Sequence, residues 1–211
     1  MINIVNFYKT NLNLYINKYG IIQLIANTVV SFGIALIYMV VIKNFKLAKE
    51  KQHKQAKVVK SVVETFSMTL FFVVCNILIL FKIGTIDVSV NDYIKVIATL
   101  LFSLGVFINL SGRYYLGTNW GNNVVIYTDH KLIDKGIYKY IRHPLYSSIF
   151  LMLYAISIIY ANVLVFILTS VIFVPAMYYR SKQEEKELII KFKDDYLNYK
   201  RKTGMFLPKL F

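Results

Sequence analysis

Apolar residues fall into four long runs separated by short polar breaks of contrasting charge. Residues 20–42 contain no charge over 23 positions, enough to cross about 30 Å of hydrocarbon as a tilted helix. Residues 43–60 follow, with seven lysines against the single acid Glu50. Residues 62–81 form a second span, with Glu64 near its start and Asn76 inside it. The connector 82–92 carries Asp87 and Asp92, and residues 93–110 form a third span that ends at Ser111, Gly112 and Arg113.

The fourth run, 149–179, has 31 residues and would make a helix of roughly 46 Å, too long for one crossing. Asn162 near its middle predicts a turn, so the run reads as a helical hairpin with two short limbs. Beyond it, Leu188, Phe192, Tyr196 and Tyr199 recur at spacings of four, four and three, the stripe of an amphipathic helix over 180–200. Extended backwards by fours, that stripe reaches Glu184 and Arg180 and leaves Glu187 on another face. The expected fold is all-α and integral to the membrane. It has about five membrane helices, three spans plus the hairpin, followed by a cytosolic amphipathic helix. Residues 1–211 read as a single membrane domain, with a three-span scaffold over 20–111 and a functional half over 112–211.

Composition sharpens this without changing it. Hydrophobic residues make up 57% of the chain and the formal net charge is +14. The lysines cluster at the ends of apolar runs, as topology determinants do, and not along one face as for nucleic-acid binding. By the positive-inside rule the seven-lysine loop is cytoplasmic. The N-terminus is then outside, and the end of the third span and the C-terminus are cytoplasmic. The one cysteine, Cys75, lies in an apolar run and reads as a small buried hydrophobe. Three scattered histidines give no metal-ligand spacing, and the nine glycines never form G-x-G-x-x-G. Arg113, at the end of a span, reads as a side chain snorkelling to headgroups.

Candidate chemistry concentrates in residues 136–146, GIYKYIRHPLY, between a polar loop and the fourth apolar run. Pro144 is well placed at the first position of a helix, where its missing N–H has no partner to lose. A helix start set among basic and aromatic side chains is a seat for an anionic group. His143 has two readings here, a residue that closes the loop and a ligand or base.

The run HKLIDKGIYKYIRHPLY, then RSKQEEKEL and KFKDDYLNYKRKTGMFLP, resembles the C-terminal half of the isoprenylcysteine carboxyl methyltransferase family. These are membrane methyltransferases that use S-adenosylmethionine and are distantly related to phospholipid N-methyltransferases. The resemblance covers about 116–208 and implies cofactor contacts from His130, Lys131, Leu132 and Ile133, from Tyr138, from His143, Pro144, Leu145 and Tyr146, and from Glu184. It assigns Arg180 to the substrate. Ser147 and Ser148 stand where the family commonly has a small residue such as glycine, and the tail 204–208 follows the family ending only loosely.

Glu184 suits a cationic or hydroxyl part of the cofactor, the Pro144 helix start its carboxylate, and Tyr138 and Tyr146 supply aromatic walls. A carboxylate acceptor is ionised at neutral pH and needs no base, and Arg180 would align it. An amine or thiol acceptor would need deprotonation, with His143 the first candidate. The expected function is methyl transfer to an amphipathic, lipid-like acceptor drawn from the bilayer, with a carboxylate such as that of an isoprenylcysteine favoured over a phospholipid amine or small thiol. The expected partners are the lipid bilayer and that substrate, with no metal and no nucleic acid. A membrane reductase using NADPH and a non-enzymatic scaffold binding anionic headgroups are the rivals. A scaffold has no use for a carboxylate beside the basic loop.

Overall fold

The computed structural model describes residues 4–52, 62–117 and 132–209, and within them every regular element is helical. Helix α1 (Ile4–Tyr19) ends at Gly20, and α2 (Ile21–Gln52), α3 (Val62–Leu80) and α4 (Asp92–Leu116) follow in order. A 3-10 turn (Gly136–Lys139) leads into α5 (Pro144–Ile159). Then α6 (Val163–Leu168) passes through a π-helical turn (Thr169–Phe173) into α7 (Val174–Phe192), and α8 (Asp194–Lys202) closes the fold.

Three helical stretches are long and apolar enough to cross a membrane: Ile21–Asn44, Asp92–Leu116 and Val163–Phe192. Ser67–Leu80 and Pro144–Ile159 are shorter apolar helices. The multi-pass, all-α architecture expected from the apolar runs is therefore present. Large apolar side chains on the outside, such as Leu100 (64% exposed) and Phe107 (67%), form the surface that lipid would cover.

The core lies between α2, α4 and α5, where Ala26 and Val30 meet Ala98, Phe102 and Val106, and these meet Met152, Ala155, Ile156 and Ile159. Small residues let α4 and α5 approach closely. A Cβ at Gly105 would stand 2.6 Å from Met152 Cγ, and one at Gly112 would stand 3.0 Å from Leu145 Cδ2. A second cluster, Leu153, Phe173 and Met177, packs with Met68, Phe71 and Phe72 of α3.

The hairpin turn falls where expected. Asn162 Oδ1 accepts the Val165 N–H at 3.0 Å and caps α6, while its Nδ2 donates to the carbonyls of Leu78 (3.3 Å) and Ile83 (3.0 Å). Thus the turn is pinned to the α3–α4 connector. At the same end, Lys82 Nζ lies 5.5 Å from the centre of the Tyr19 ring at the α1–α2 corner. The other end of the bundle gathers the end of α4, the start of α5 and the polar half of α7.

Two boundaries differ from the sequence reading. Helix α2 does not stop at Lys43 but runs to Gln52, because lysine is a good helix former and nothing breaks the segment. The amphipathic segment is not one separate helix. Its first half continues the second hairpin limb to Phe192, and Lys193 (φ 48°) breaks the chain before α8.

Candidate functional site

Pro144 is the first residue of α5 and His143 its cap, so the Arg-His-Pro triplet sits at a helix start as its sequence predicts. The preceding turn is tight: Gly136 has φ 58°, and a Cβ there would lie 2.1 Å from the Tyr115 ring. Tyr138 is buried on that turn, and its carbonyl accepts a hydrogen bond from Tyr199 Oη at 2.7 Å.

The tail folds back over the loop. Ile141 and Gly204 form a parallel bridge. The N–H groups of Arg142 and His143 donate to the carbonyls of Gly204 (2.9 Å) and Met205 (3.0 Å), and Ser147 Oγ donates to the Phe206 carbonyl at 2.7 Å. The Phe206 ring stands 6.1 Å from His143 and 5.2 Å from Phe150, centre to centre. Carbonyl oxygens of the tail thus meet the start of α5, where the sequence pointed to an anion.

Two carboxylates of α7 face this loop. Tyr146 Oη donates to Glu184 Oε1 at 2.5 Å, and Arg180 Nε donates to the same oxygen at 3.2 Å. His143 Nδ1 lies 3.5 Å from Glu184 Oε2, and its Nε2 lies 3.4 Å from Glu185 Oε1. Arg142 Nε donates to Glu185 Oε1 at 2.7 Å, and Lys200 Nζ donates to Oε2 at 2.6 Å. Arg142 Nη1 also donates to the carbonyls of Thr203 and Lys200. Desolvation by itself pushes the His143 pKa down, but the two carboxylates more than offset it, and the ring titrates above its ordinary value.

The two acids differ in access. The Glu184 side chain is 24% exposed, whereas that of Glu185 is 2% exposed. Glu184, Arg180, Tyr146 and His143 therefore form one cluster, as the spacing of the α7 stripe implied, and Glu187 is exposed. Pro144 is buried, while Leu145, Leu132 and Ile133 are half-buried. Leu132 and Tyr199 line an open groove of about 770 Å³ beside the site, together with Asp134, Lys139 and Asn198. His130 and Lys131 lie outside the described residues. The described residues contain no group of three or more metal-ligating side chains.

Sequence reasoning missed Glu185, Lys200 and the part played by Arg142. The stripe from Leu188 to Tyr199 runs through Lys193, where the helix breaks, and so follows the face of Arg180 and Glu184. The buried positions Met177, Ser181 and Glu185, spaced by four, lie on the neighbouring face. Asn109 links helices as an intramembrane polar group should, donating from Nδ2 to Ser148 Oγ at 2.8 Å.

Residues 96–190 match the model of the isoprenylcysteine carboxyl methyltransferase (ICMT) family. The chain is 36% identical over 74 residues to a methanethiol S-methyltransferase of Pseudomonas deceptionensis, covering 35% of this chain and 27% of that protein. It is 28% identical over 115 residues to a protein-S-isoprenylcysteine O-methyltransferase of Saccharomyces cerevisiae, covering 54% of this chain and 48% of the relative. The Schizosaccharomyces pombe protein of the same name is also 28% identical, over 50% of this chain and 45% of its own length. The matches thus span about a quarter to a half of these relatives. A solved structure of the eukaryotic intramembrane Ras methyltransferase ICMT superposes with a TM-score of 0.57 at 20% identity, covering 92% of this chain and 70% of that one. That likeness is one of fold.

Proposed function

Taking the match of residues 96–190 to the isoprenylcysteine carboxyl methyltransferase family as premise, we propose that this chain is a membrane-embedded methyltransferase. In this reading it moves a methyl group from S-adenosylmethionine to the carboxylate of an amphipathic acceptor. The observation that carries the reading is the partly open Glu184 carboxylate, braced by Arg180, Tyr146 and His143 where α5 and α7 leave the apolar layer.

The residues present fit such a donor. Glu184 is an acid with some exposure left, able to take a cationic or hydroxyl group, and Tyr146, bonded to it, supplies an aromatic wall, with Tyr138 buried on the preceding turn. When bound, S-adenosylmethionine supplies an electrophilic methyl group on a sulfonium. The chain's own contribution is to orient the acceptor and exclude water. Arg180 is 8% exposed, held at Nε by Glu184 and at Nη1 by Met68 Sδ, and in this reading its guanidinium aligns the acceptor carboxylate. His143 has both ring nitrogens within 3.5 Å of a carboxylate, which suits a charged brace and not a proton acceptor. A His143 held as a charged brace favours an acceptor that is already ionised.

The seven-lysine segment in 43–60 supports placing this end of the bundle on the cytoplasmic face of a cell membrane. Residues 20–111 then serve as scaffold and 112–211 as the catalytic half. The Pseudomonas relative favours a second reading, a small thiol as acceptor, which would require another group to remove the thiol proton.

Purified protein incubated with methyl-labelled S-adenosylmethionine and either an S-farnesylcysteine derivative or methanethiol distinguishes the two. Base-labile label on the farnesylcysteine carboxylate is expected. Label on the thiol alone supports the second reading, and label on neither, nor on any lipid of a membrane extract, defeats both.

A further inference from the structure

The tail returns to the membrane edge beside the start of α5. The Gly204 N–H donates to the Tyr140 carbonyl at 3.1 Å, next to the bonds that the Arg142 and His143 N–H groups make to Gly204 and Met205. Gly204 opens a tight turn, since a Cβ there would collide with the Leu207 carbonyl. The turn sets the Phe206 ring on Phe150, within the first two turns of the apolar helix α5. Leu207, the next residue, is 76% exposed, and Tyr140 is 55% exposed. A leucine and a tyrosine held outward at that depth suit the boundary between acyl chains and headgroups.

The end of α8 supplies charge at the same place. Arg142 Nη1 donates to the carbonyls of Lys200 and Thr203, so the last turn of α8 also sits at the start of α5. Lys200 is committed to Glu185, but Arg201, Lys202 and Lys209 are exposed. Lys209 Nζ donates to the Arg201 carbonyl at 2.8 Å, and Arg201 Nη2 donates to Asn198 Oδ1. Both acceptors are neutral and leave the two charges in place.

We propose that the end of α8 and the tail form a binding surface for anionic membrane lipids, and that lipid held there steadies the loop carrying Arg142 and His143. Arg201, Lys202 and Lys209 meet the anionic headgroup, and Leu207 enters the acyl boundary beside it. Three cations gathered on one edge complement a lipid of net negative charge, whereas a zwitterionic headgroup carries its own cation and gains less. Asp194 and Asp195 stand at the opposite end of α8, about 10 Å or more away along its axis, and leave this edge basic. The coupling to the loop runs through backbone bonds. Lipid that holds the tail also holds the carbonyls of Gly204 and Met205, to which Arg142 and His143 are bonded. The surface stands independently of which methyl donor and acceptor the site takes.

The test is hydrogen exchange of the full chain in nanodiscs, comparing phosphatidylcholine alone with an equal mixture of phosphatidylcholine and phosphatidylglycerol. In wild type the anionic mixture should slow exchange at the Arg142, His143 and Gly204 amides by about tenfold or more, since each cation near an anionic surface contributes about a fivefold change in affinity. High salt should remove the difference. The triple variant Arg201→Gln, Lys202→Gln, Lys209→Gln should exchange at one rate in both membranes. Lys18→Gln with Lys82→Gln, at the other end of the bundle, should respond as wild type does. Equal rates in both membranes for wild type overturn the proposal, as does a full response in the triple variant. If the triple variant does not fold, the salt series on wild type decides: a lipid effect that survives high salt is not made by these exposed charges and overturns the proposal. A chain that is dimeric in detergent and becomes monomeric in the triple variant, with no lipid effect, gives the surface to a second copy instead.

Discussion

Glu184 and Glu185 are neighbours in the chain but meet opposite edges of one imidazole: Oε2 of the first lies 3.5 Å from His143 Nδ1, and Oε1 of the second lies 3.4 Å from Nε2. The first carboxylate also takes Tyr146 and Arg180 and keeps some exposure. The second takes Arg142 and Lys200 and is sealed. One helix turn thus presents a partly open acid and an acid for architecture.

Glu185 is the architectural one, 1% exposed and joined to three basic side chains from the loop and α8. Removing one partner of a buried pair strands the others, at a cost of about 3–5 kcal/mol. Glu185→Ala should therefore lose that much in denaturant or thermal unfolding in detergent, while Glu187→Ala, at an exposed position, should stay within about 0.5 kcal/mol. Equal, small losses would show that the Arg142 contacts with the tail carbonyls suffice alone.

The division between these acids was only half legible in the sequence. The hairpin turn was visible because Asn162 interrupts an apolar run too long for one crossing. Arg180 and Glu184 were visible because a spacing of four places them on one face of α7. Glu185 was hidden by the break at Lys193, which ends the helix on which the stripe was counted. The tail was hidden for a different reason: its bonds to Arg142 and His143 run between backbone atoms and leave no residue signature.

Arg180 and Glu184 should separate in binding and turnover. Glu184→Ala removes the partly open carboxylate and should weaken S-adenosylmethionine binding by calorimetry by about tenfold or more, well beyond Glu187→Ala. Arg180→Lys keeps the charge but loses the planar fork, so donor binding should persist while turnover falls. Loss of donor binding in Arg180→Lys would move that arginine into the donor's own site.

His143 makes stability depend on pH. Its folded pKa is raised above the ordinary value of about 6.5, so its contribution is complete below that pH. The contribution is lost as pH rises through the folded pKa, by about 1.4 kcal/mol for each pH unit in which the native ring is protonated and the unfolded one is not. The melting temperature of wild type should fall more steeply above pH 6.5 than that of His143→Gln. Parallel curves for the two would mean the ring is neutral between its carboxylates.

Asn76 and Asn162 look alike in the sequence, each a lone asparagine in an apolar run, yet they should respond very differently to alanine. Asn76 is exposed and donates to the Phe72 carbonyl one turn back in its own helix, at 2.8 Å. Asn162 is 1% exposed, caps α6, and supplies donors to Leu78, Ile83 and Thr85 on the facing connector. Asn162→Ala removes a cap and leaves buried carbonyls without their donor, together about 2–4 kcal/mol. Asn76→Ala should stay within about 0.5 kcal/mol. Unfolding of both variants in mixed micelles measures the difference. Equal losses would mean that the hairpin turn holds by the Ile86–Ala161 and Val163–Gly84 backbone bonds without its asparagine.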